Sequence, residues 1–268
     1  MRATMNFMKD GGGGFRNCVG AVCAVLLILA AGLLPSAACA MDRARAILEE
    51  IDDLWRAESS RGIMTMRVET ANYTRTLRME AWSKGKEMSL VRILSPKKEQ
   101  GTASLKSGNT LYTYLPKTDR TIRLTSGMMM GSWMGSHFTN DDLVKESRLA
   151  DDFEPNIDFE GERDGQEVLD FSLTPKPDAP VVWGRIVITV RAVDRMPLVS
   201  RYYDEDLVLA RTIVFDRIVE MGGRRFPAYL KVIPEDKPAE FTELLYEEMH
   251  FGVAIEDGFF SLIELRRR

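Results

Sequence analysis

Leu90–Pro116, LVRILSPKKEQGTASLKSGNTLYTYLP, decides the fold. Leu90-Val91-Arg92-Ile93-Leu94 is a short run rich in β-branched and aliphatic residues, closed by Ser95-Pro96. Thr102-Ala103-Ser104-Leu105 and Thr110 to Leu115 follow, with Ser107-Gly108-Asn109 between them and Pro116-Lys117-Thr118-Asp119 after them. Short strand-forming runs broken by Gly, Pro, Asn and Asp are the pattern of sequential β-hairpins.

The same pattern extends in both directions. Upstream, Met64, Met66 and Val68 alternate with Thr65, Arg67 and Glu69, and Leu77 and Met79 alternate with Arg78 and Glu80. Downstream, Thr121 to Leu124, Ile157 to Glu160, Glu167 to Thr174, Arg185 to Arg191 and Pro197 to Tyr203 read as strands. Leu207 to Glu220, Arg225 to Ile233 and Glu240 to His250 complete the series, with turns at Arg163-Asp164-Gly165, Asp204-Glu205-Asp206 and Gly222-Gly223. One segment has a different period. In Asp42 to Ser59, Ala44, Ile47, Leu48, Ile51, Leu54 and Trp55 recur at three- and four-residue spacing. Arg43, Glu49, Glu50, Asp52 and Asp53 fill the other side, and Ser59-Ser60-Arg61-Gly62 ends the helix. Many short strands with one helix indicate a mainly β (α+β) chain, an antiparallel meander with one solvated face and one face wrapped around the helix.

Residues 1–40 read as a secretory signal peptide. Arg2, Lys9 and Arg16 form a basic n-region, Val19 to Leu34 is apolar, and Ala38-Cys39-Ala40 is a small-residue cleavage site near Ala40. The alternative is a lipoprotein anchored through Cys39, although Ser36 stands where such signals carry Leu. Residues 41–268 form a single domain, with the Pro-rich Pro175–Pro180 a loop rather than a linker. Cys18, Cys23 and Cys39 all precede it, which excludes disulfides and thiol chemistry in the mature chain. Loss of Arg2, Lys9, Arg16 and Asp10 with the leader takes the formal charge from −4 to about −6. An acidic chain with scattered charge is a poor partner for nucleic acid.

Gly127–Leu143, GMMMGSWMGSHFTNDDL, sets Met128, Met129, Met130, Met134, Trp133 and Phe138 among glycines. Glycine at that density disfavours regular helix or strand, and methionine adapts to irregular apolar partners. Two readings stay open: a hinged flap over an apolar ligand, or a loop that tucks its side chains into the core. A curved sheet too wide for one helix to fill leaves a cavity. Met64, Met66, Leu77, Met79, Met88 and Leu90 are placed to line it, with Trp55 as its floor.

Leu94-Ser95-Pro96-Lys97-Lys98, Gly101-Thr102-Ala103, Leu111 to Pro116, Arg120-Thr121-Ile122-Arg123 and Met134 to Leu143 occur in an order and spacing that resembles the bacterial outer-membrane lipoprotein-sorting-like proteins. These are relatives of the periplasmic carrier LolA, its outer-membrane receptor LolB and the stress regulator RseB. The resemblance spans residues 41–268 and implies an unclosed antiparallel β-barrel wrapping an N-terminal helix, with a cavity for acyl chains. The chain departs from the family pattern at His137, where an acidic residue is usual.

Chemistry is sparse. His137 and His250 lie far apart, Ser136 adjoins His137 without forming a nucleophile–base pair, and there is no G-x-S-x-G elbow. Without mature cysteine or histidines at i, i+4, no metal site or cofactor is expected. Asp141 is expected in a short helical turn capped by Thr139 or Asn140. The expected function is therefore non-enzymatic. It is a periplasmic carrier or chaperone for a lipid, lipoprotein acyl chain or other apolar ligand, and the resemblance supplies an inner-membrane exporter and an outer-membrane acceptor as partners. The alternative is an envelope-stress sensing or regulatory protein-binding module.

Overall fold

The computed structural model describes residues 37–145, 148–179 and 181–267. Residues 1–36 of the expected leader lie outside the described residues, whereas Ala37–Ala40, which carry the expected cleavage site and Cys39, begin the first helix. No helix among the described residues is long and apolar enough to cross a membrane.

Helix α1 (Ala37–Asp52) leads into β1 (Ser59–Glu69), β2 (Thr74–Lys84), β3 (Met88–Ser95), β4 (Ala103–Ser107), β5 (Thr110–Leu115) and β6 (Arg120–Arg123). Two short helices, α2 (Asn140–Lys145) and α3 (Leu149–Asp152), follow. Then come β7 (Phe153–Arg163), β8 (Gln166–Pro175), β9 (Arg185–Arg191), β10 (Pro197–Tyr203), β11 (Leu209–Met221), β12 (Arg224–Pro234) and β13 (Phe241–Phe251). A final turn, α4 (Leu262–Leu265), ends the chain. The thirteen strands form one antiparallel sheet in the order β6-β5-β4-β3-β2-β1-β13-β12-β11-β10-β9-β8-β7. Every strand falls on a segment whose alternation or composition marked it as one.

Two departures from the periodic reading occur at the start of the domain. The helix ends at Asp52, not Ser59, and Ser59–Gly62 belong to β1. Ala57 adopts a left-handed backbone (φ 51°), which a helix cannot continue through. Leu54 and Trp55 keep the apolar spacing but reach inward from a turn, where Trp55 Nε1 donates to Pro227 O (3.1 Å) and its ring meets Phe215 (5.8 Å). Gly62 has a use as strand rather than as helix stop. It sits opposite Met249, beside the β-bulge at Ile63/Met64, and a Cβ there would lie 2.9 Å from Glu248 O.

The buried stripe of α1, Ala44, Ile47, Leu48 and Ile51, packs on Phe171, Leu173, Ile186, Ile188 and Val190 of β8 and β9. A second cluster lies on the opposite face of the sheet. Phe260 and Leu265 cover Leu90, Ala103, Leu105 and Tyr114 there, so β3–β5 are buried on both faces. This corrects the expectation that one face of the sheet is solvated throughout.

β6 and β7 are consecutive in sequence yet occupy opposite edges of the sheet. The chain between them must cross from edge to edge, and it does so over the inner face. This strap contains the methionine–glycine segment. It is knit to itself by Trp133 N to Phe138 O (2.8 Å), Asn140 N to Gly131 O (2.9 Å) and Asp141 N to Met129 O (3.0 Å). Thr139 caps α2 as expected: Asp142 N donates to Thr139 Oγ1 (3.2 Å) and Thr139 N donates to Asp142 Oδ2 (2.7 Å), a reciprocal capping box.

Polar side chains of the sheet and its hairpins latch the strap. Trp133 Nε1 donates to Ser104 Oγ (3.1 Å) of β4, and His137 N donates to Thr242 Oγ1 (3.0 Å) of β13. Arg75 and Tyr73 donate to the carbonyls of Met134 and Gly135 (both 2.7 Å). The strongest latch is Arg211 of β11, which grips Asp142 with both Nη atoms (2.7 and 2.5 Å). Its guanidinium lies 4.3 Å from the Tyr202 ring centre and 4.6 Å from that of Trp183. Burial opposes the charge on Arg211, but the Asp142 carboxylate outweighs it and holds the guanidinium protonated.

Removing one partner of a buried ion pair strands the other charge, at a cost of about 3–5 kcal/mol, whereas replacing both with apolar groups is often near neutral. Asp142→Ala is therefore expected to destabilise by about that amount. The double variant Asp142→Ala/Arg211→Met is expected to recover part of the loss in urea unfolding. Additive losses would show that the two residues act independently.

Candidate functional site

The cavity enclosed by sheet, helix and strap is ≈ 210 Å³. Its position follows from the register of β1, β2 and β3. Gly62 pairs with Ala81, and Ala81 with Val91; the Met249 side chain lies over Gly62, so the short side chains of Ala81 and Val91 form the thin part of this row. One step along, Met64, Met79 and Ile93 form the next row and fill the space with bulk. The opposite wall comes from the far wing: Ile186 and Ile188 of β9, Ser200 and Tyr202 of β10, and Ile213 and Phe215 of β11. Trp133 and Phe138 of the strap close it from above. All four of the chain's tryptophans, Trp55, Trp82, Trp133 and Trp183, therefore border one space. The ring of Trp82 also stacks on Phe259 of the cluster under the C-terminal turn (5.3 Å).

The residues expected to line this space divide into groups. Trp55, Met64, Trp133 and Phe138 border it. Met79 of the methionine row and Met66 and Leu77 beyond it are fully buried in the core, and Met134 packs against that core. Met88 and Leu90 belong instead to the cluster under the C-terminal turn. Period two puts them on the face opposite to Ser89 and Val91, and burial of both faces of β3 hides which face is inner. On the strap, Met129 packs on Leu111 and Leu124, whereas Met128 and Met130 are exposed. The strap thus presents Trp133 and Phe138, rather than its methionine run, to the cavity.

Sequence reading missed the polar groups of the site. Asp52, assigned to the solvated side of the helix, is 7 % exposed and lines the cavity. The signal was present in the four-residue spacing Ala44, Leu48, Asp52, which puts the carboxylate on the buried stripe. Ala150 N donates to its Oδ2 (3.1 Å), and its Oδ1 has no hydrogen-bond partner among the described residues. Burial pushes the Asp52 carboxyl up to about 7, against the pull of the Ala150 hydrogen bond and the positive charge of Lys86. Arg56, also buried, lines the cavity beside it.

The histidines and Ser136 are engaged elsewhere. Ser136 Oγ donates to Trp133 O (2.7 Å). His137 Nδ1 meets Thr242 Oγ1 (2.8 Å), and its Nε2 lies 3.3 Å from Glu240 Oε2. His137 thus fastens the strap to β13. His250 pairs with Glu248 on the surface (2.6 Å). Among the described residues no cluster of three or more His, Cys, Asp or Glu side chains is arranged to hold a metal ion.

The raised Asp52 pKa has a defined consequence for stability. An unfolded Asp releases its proton near 3.8, whereas the folded protein holds it to about 7. Between those values the native state binds more protons than the unfolded state, so stability falls as pH rises through the window and levels off above it. The loss reaches at most about 4 kcal/mol. Asp52→Asn is expected to abolish this decline, so its gain over wild type in urea midpoint should be larger at pH 8 than at pH 4. Parallel pH profiles for the two proteins would contradict the assignment.

Comparison with known proteins places this architecture. A family model described as "uncharacterized protein" matches residues 85–267, more than half of the chain and everything from β3 to α4. No curated protein matches. A solved domain named for outer membrane lipoprotein sorting, from Vibrio parahaemolyticus, is 20% identical with a TM-score of 0.72, covering 85% of this chain and 100% of its own. A DUF1329 family protein from Desulfovibrio piger is 21% identical with a TM-score of 0.76 and coverage of 84% and 99%. A LolA superfamily protein from Nitrosomonas europaea is 22% identical with a TM-score of 0.71 and coverage of 82% and 98%. The open sheet around a helix is the fold that these three share with this chain, as the resemblance implied. The chain therefore belongs to the family which that model describes, and its fold is that of the LolA superfamily and of the outer-membrane lipoprotein-sorting domains.

Proposed function

We propose that this chain is a binding protein that carries a lipid, a lipoprotein acyl chain or another apolar molecule in the cavity beneath the strap. The observation that carries this reading is the short inward side chains of Ala81 and Val91 facing the apolar wall of the far wing across a ≈ 210 Å³ space. A sheet selected only for stability would fill that space, because close packing is the norm in protein interiors. Burying an acyl chain there contributes about 0.8 kcal/mol per methylene. Ser136 and His137, the adjacent serine and histidine of the chain, are engaged in holding the strap, which supports binding rather than chemistry. The leader-like residues 1–40 support a periplasmic location, with the Cys39 anchor as its variant. The likeness to a lipoprotein-sorting domain supports transfer between an inner-membrane exporter and an outer-membrane acceptor.

The tryptophans make the site readable. A brominated acyl chain entering the cavity quenches the tryptophans that border it, Trp55, Trp82, Trp133 and Trp183, so saturable quenching of emission is expected. Ala81→Phe fills the space and should weaken that binding by about tenfold, the equivalent of two methylenes denied burial, without lowering thermal stability. Quenching that is unaffected by Ala81→Phe would place the lipid elsewhere, and no saturable quenching at all would favour a protein-binding role for the fold.

A further inference from the structure

The β1–β3 wall of the cavity is polar at one end and apolar at the other, and its register orders the two. On the inner face of β1–β3 the serines Ser60, Ser83 and Ser89 form one row, paired across the strands, with Ser60 Oγ and Ser83 Oγ 2.7 Å apart. Gly62, Ala81 and Val91 form the next row, and Met64, Met79 and Ile93 the third. The serine row lies beside the β2–β3 turn. Asp52 is at the same end, because it feels the charge of Lys86 in that turn and bonds to Ala150, whose neighbour Asp151 pairs with Lys86 (3.3 Å). An elongated ligand lying along this gradient would place its head at Asp52 and the serines and its tail toward the methionines, Trp133 and Phe138.

The head is constrained by what it would meet. Asp52 Oδ1 is buried, lines the cavity and accepts no hydrogen bond among the described residues, so it lacks a donor. A carboxylate or phosphate head cannot donate to Asp52 Oδ1 and would be repelled by the ionised Asp52 carboxylate, which borders the space. An ammonium head would sit against Arg56, which shares the wall, with Lys86 close by. A hydroxyl donates to a carboxylate without bringing a charge into a poorly solvated site, and the serines match it as neutral partners.

Building on the lipid-carrier reading above, we propose that the cavity takes a neutral lipid with a hydroxyl head, the hydroxyl donating to Asp52 Oδ1 and the hydrocarbon running toward Trp133 and Phe138. The class comprises long-chain alcohols, acylglycerols and polycyclic alcohols, as opposed to free fatty acids or amines.

Decan-1-ol, decanoate and decylamine, titrated at pH 7.5 against tryptophan emission, share one tail and differ in head. The quantity to read is the ratio of affinities, because the three partition differently from water on their own. In the wild-type protein decan-1-ol should bind most tightly. Asp52→Ala should shrink the alcohol-over-acid ratio by about tenfold, the loss of one hydrogen bond to a charged acceptor together with relief of the repulsion felt by the acid. Asp52→Asn, whose amide oxygen still accepts, should retain alcohol binding. An unchanged ratio in Asp52→Ala, or decanoate bound as tightly as decan-1-ol by wild type, would overturn the headgroup assignment while leaving the carrier reading intact. Failure of all three to bind would overturn the carrier reading and this inference with it.

Discussion

The crossing from β6 to β7 constrains everything else in this molecule. An antiparallel meander that begins and ends at the centre of its sheet, with β1 paired to β13, pushes the middle of the chain to the two edges. The connection must then traverse the inner face, where its backbone loses water and its polar groups need partners. The structure answers with inward-facing Ser104, Arg211 and Thr242, side chains that would be costly in a filled core. Their presence inside the sheet follows from the strap, and the strap follows from the strand order.

The strap also explains why a cavity survives. The space between two wings of a curved sheet is too wide for α1 alone, whose apolar stripe is spent on β8 and β9. Trp133 and Phe138 close the space without filling it, and Ala81 and Val91 keep one wall thin. Methionine and isoleucine one row further on show that the same strands close-pack where no space is kept. Small residues in one row and an under-bonded carboxylate beside them both weaken the fold, and together they shape a site with a wet end and a dry end.

Much of the fold was legible in the chain. Alternation along Met64–Val68 or Arg185–Arg191 reports a strand directly, because one face of each is buried and the other is not. Legibility ends where that asymmetry ends. β3 is covered on both faces, so Leu90 and Ser89 could not be assigned to outside and inside from hydrophobicity, and the apolar Leu90 was the natural but mistaken choice for the cavity. Acidic side chains are usually solvated, so Asp52 reads as part of the exposed side, although its spacing from Leu48 puts it on the buried stripe. The Asp142–Arg211 latch joins residues far apart in sequence, and no local pattern announces it. The Trp133 and Phe138 contacts were signalled by composition, whereas the outward turn of Met128 and Met130 depends on how the strap bonds to itself.

A carrier role requires a lipid in the space under the strap. Native mass spectrometry of the chain purified from its own envelope without detergent tests this directly, followed by organic extraction of whatever is bound. A discrete adduct, one per chain, that extracts as a neutral lipid and is absent from Ala81→Phe is the predicted result. A wild-type protein that flies at its bare mass and takes up no added lipid would contradict it.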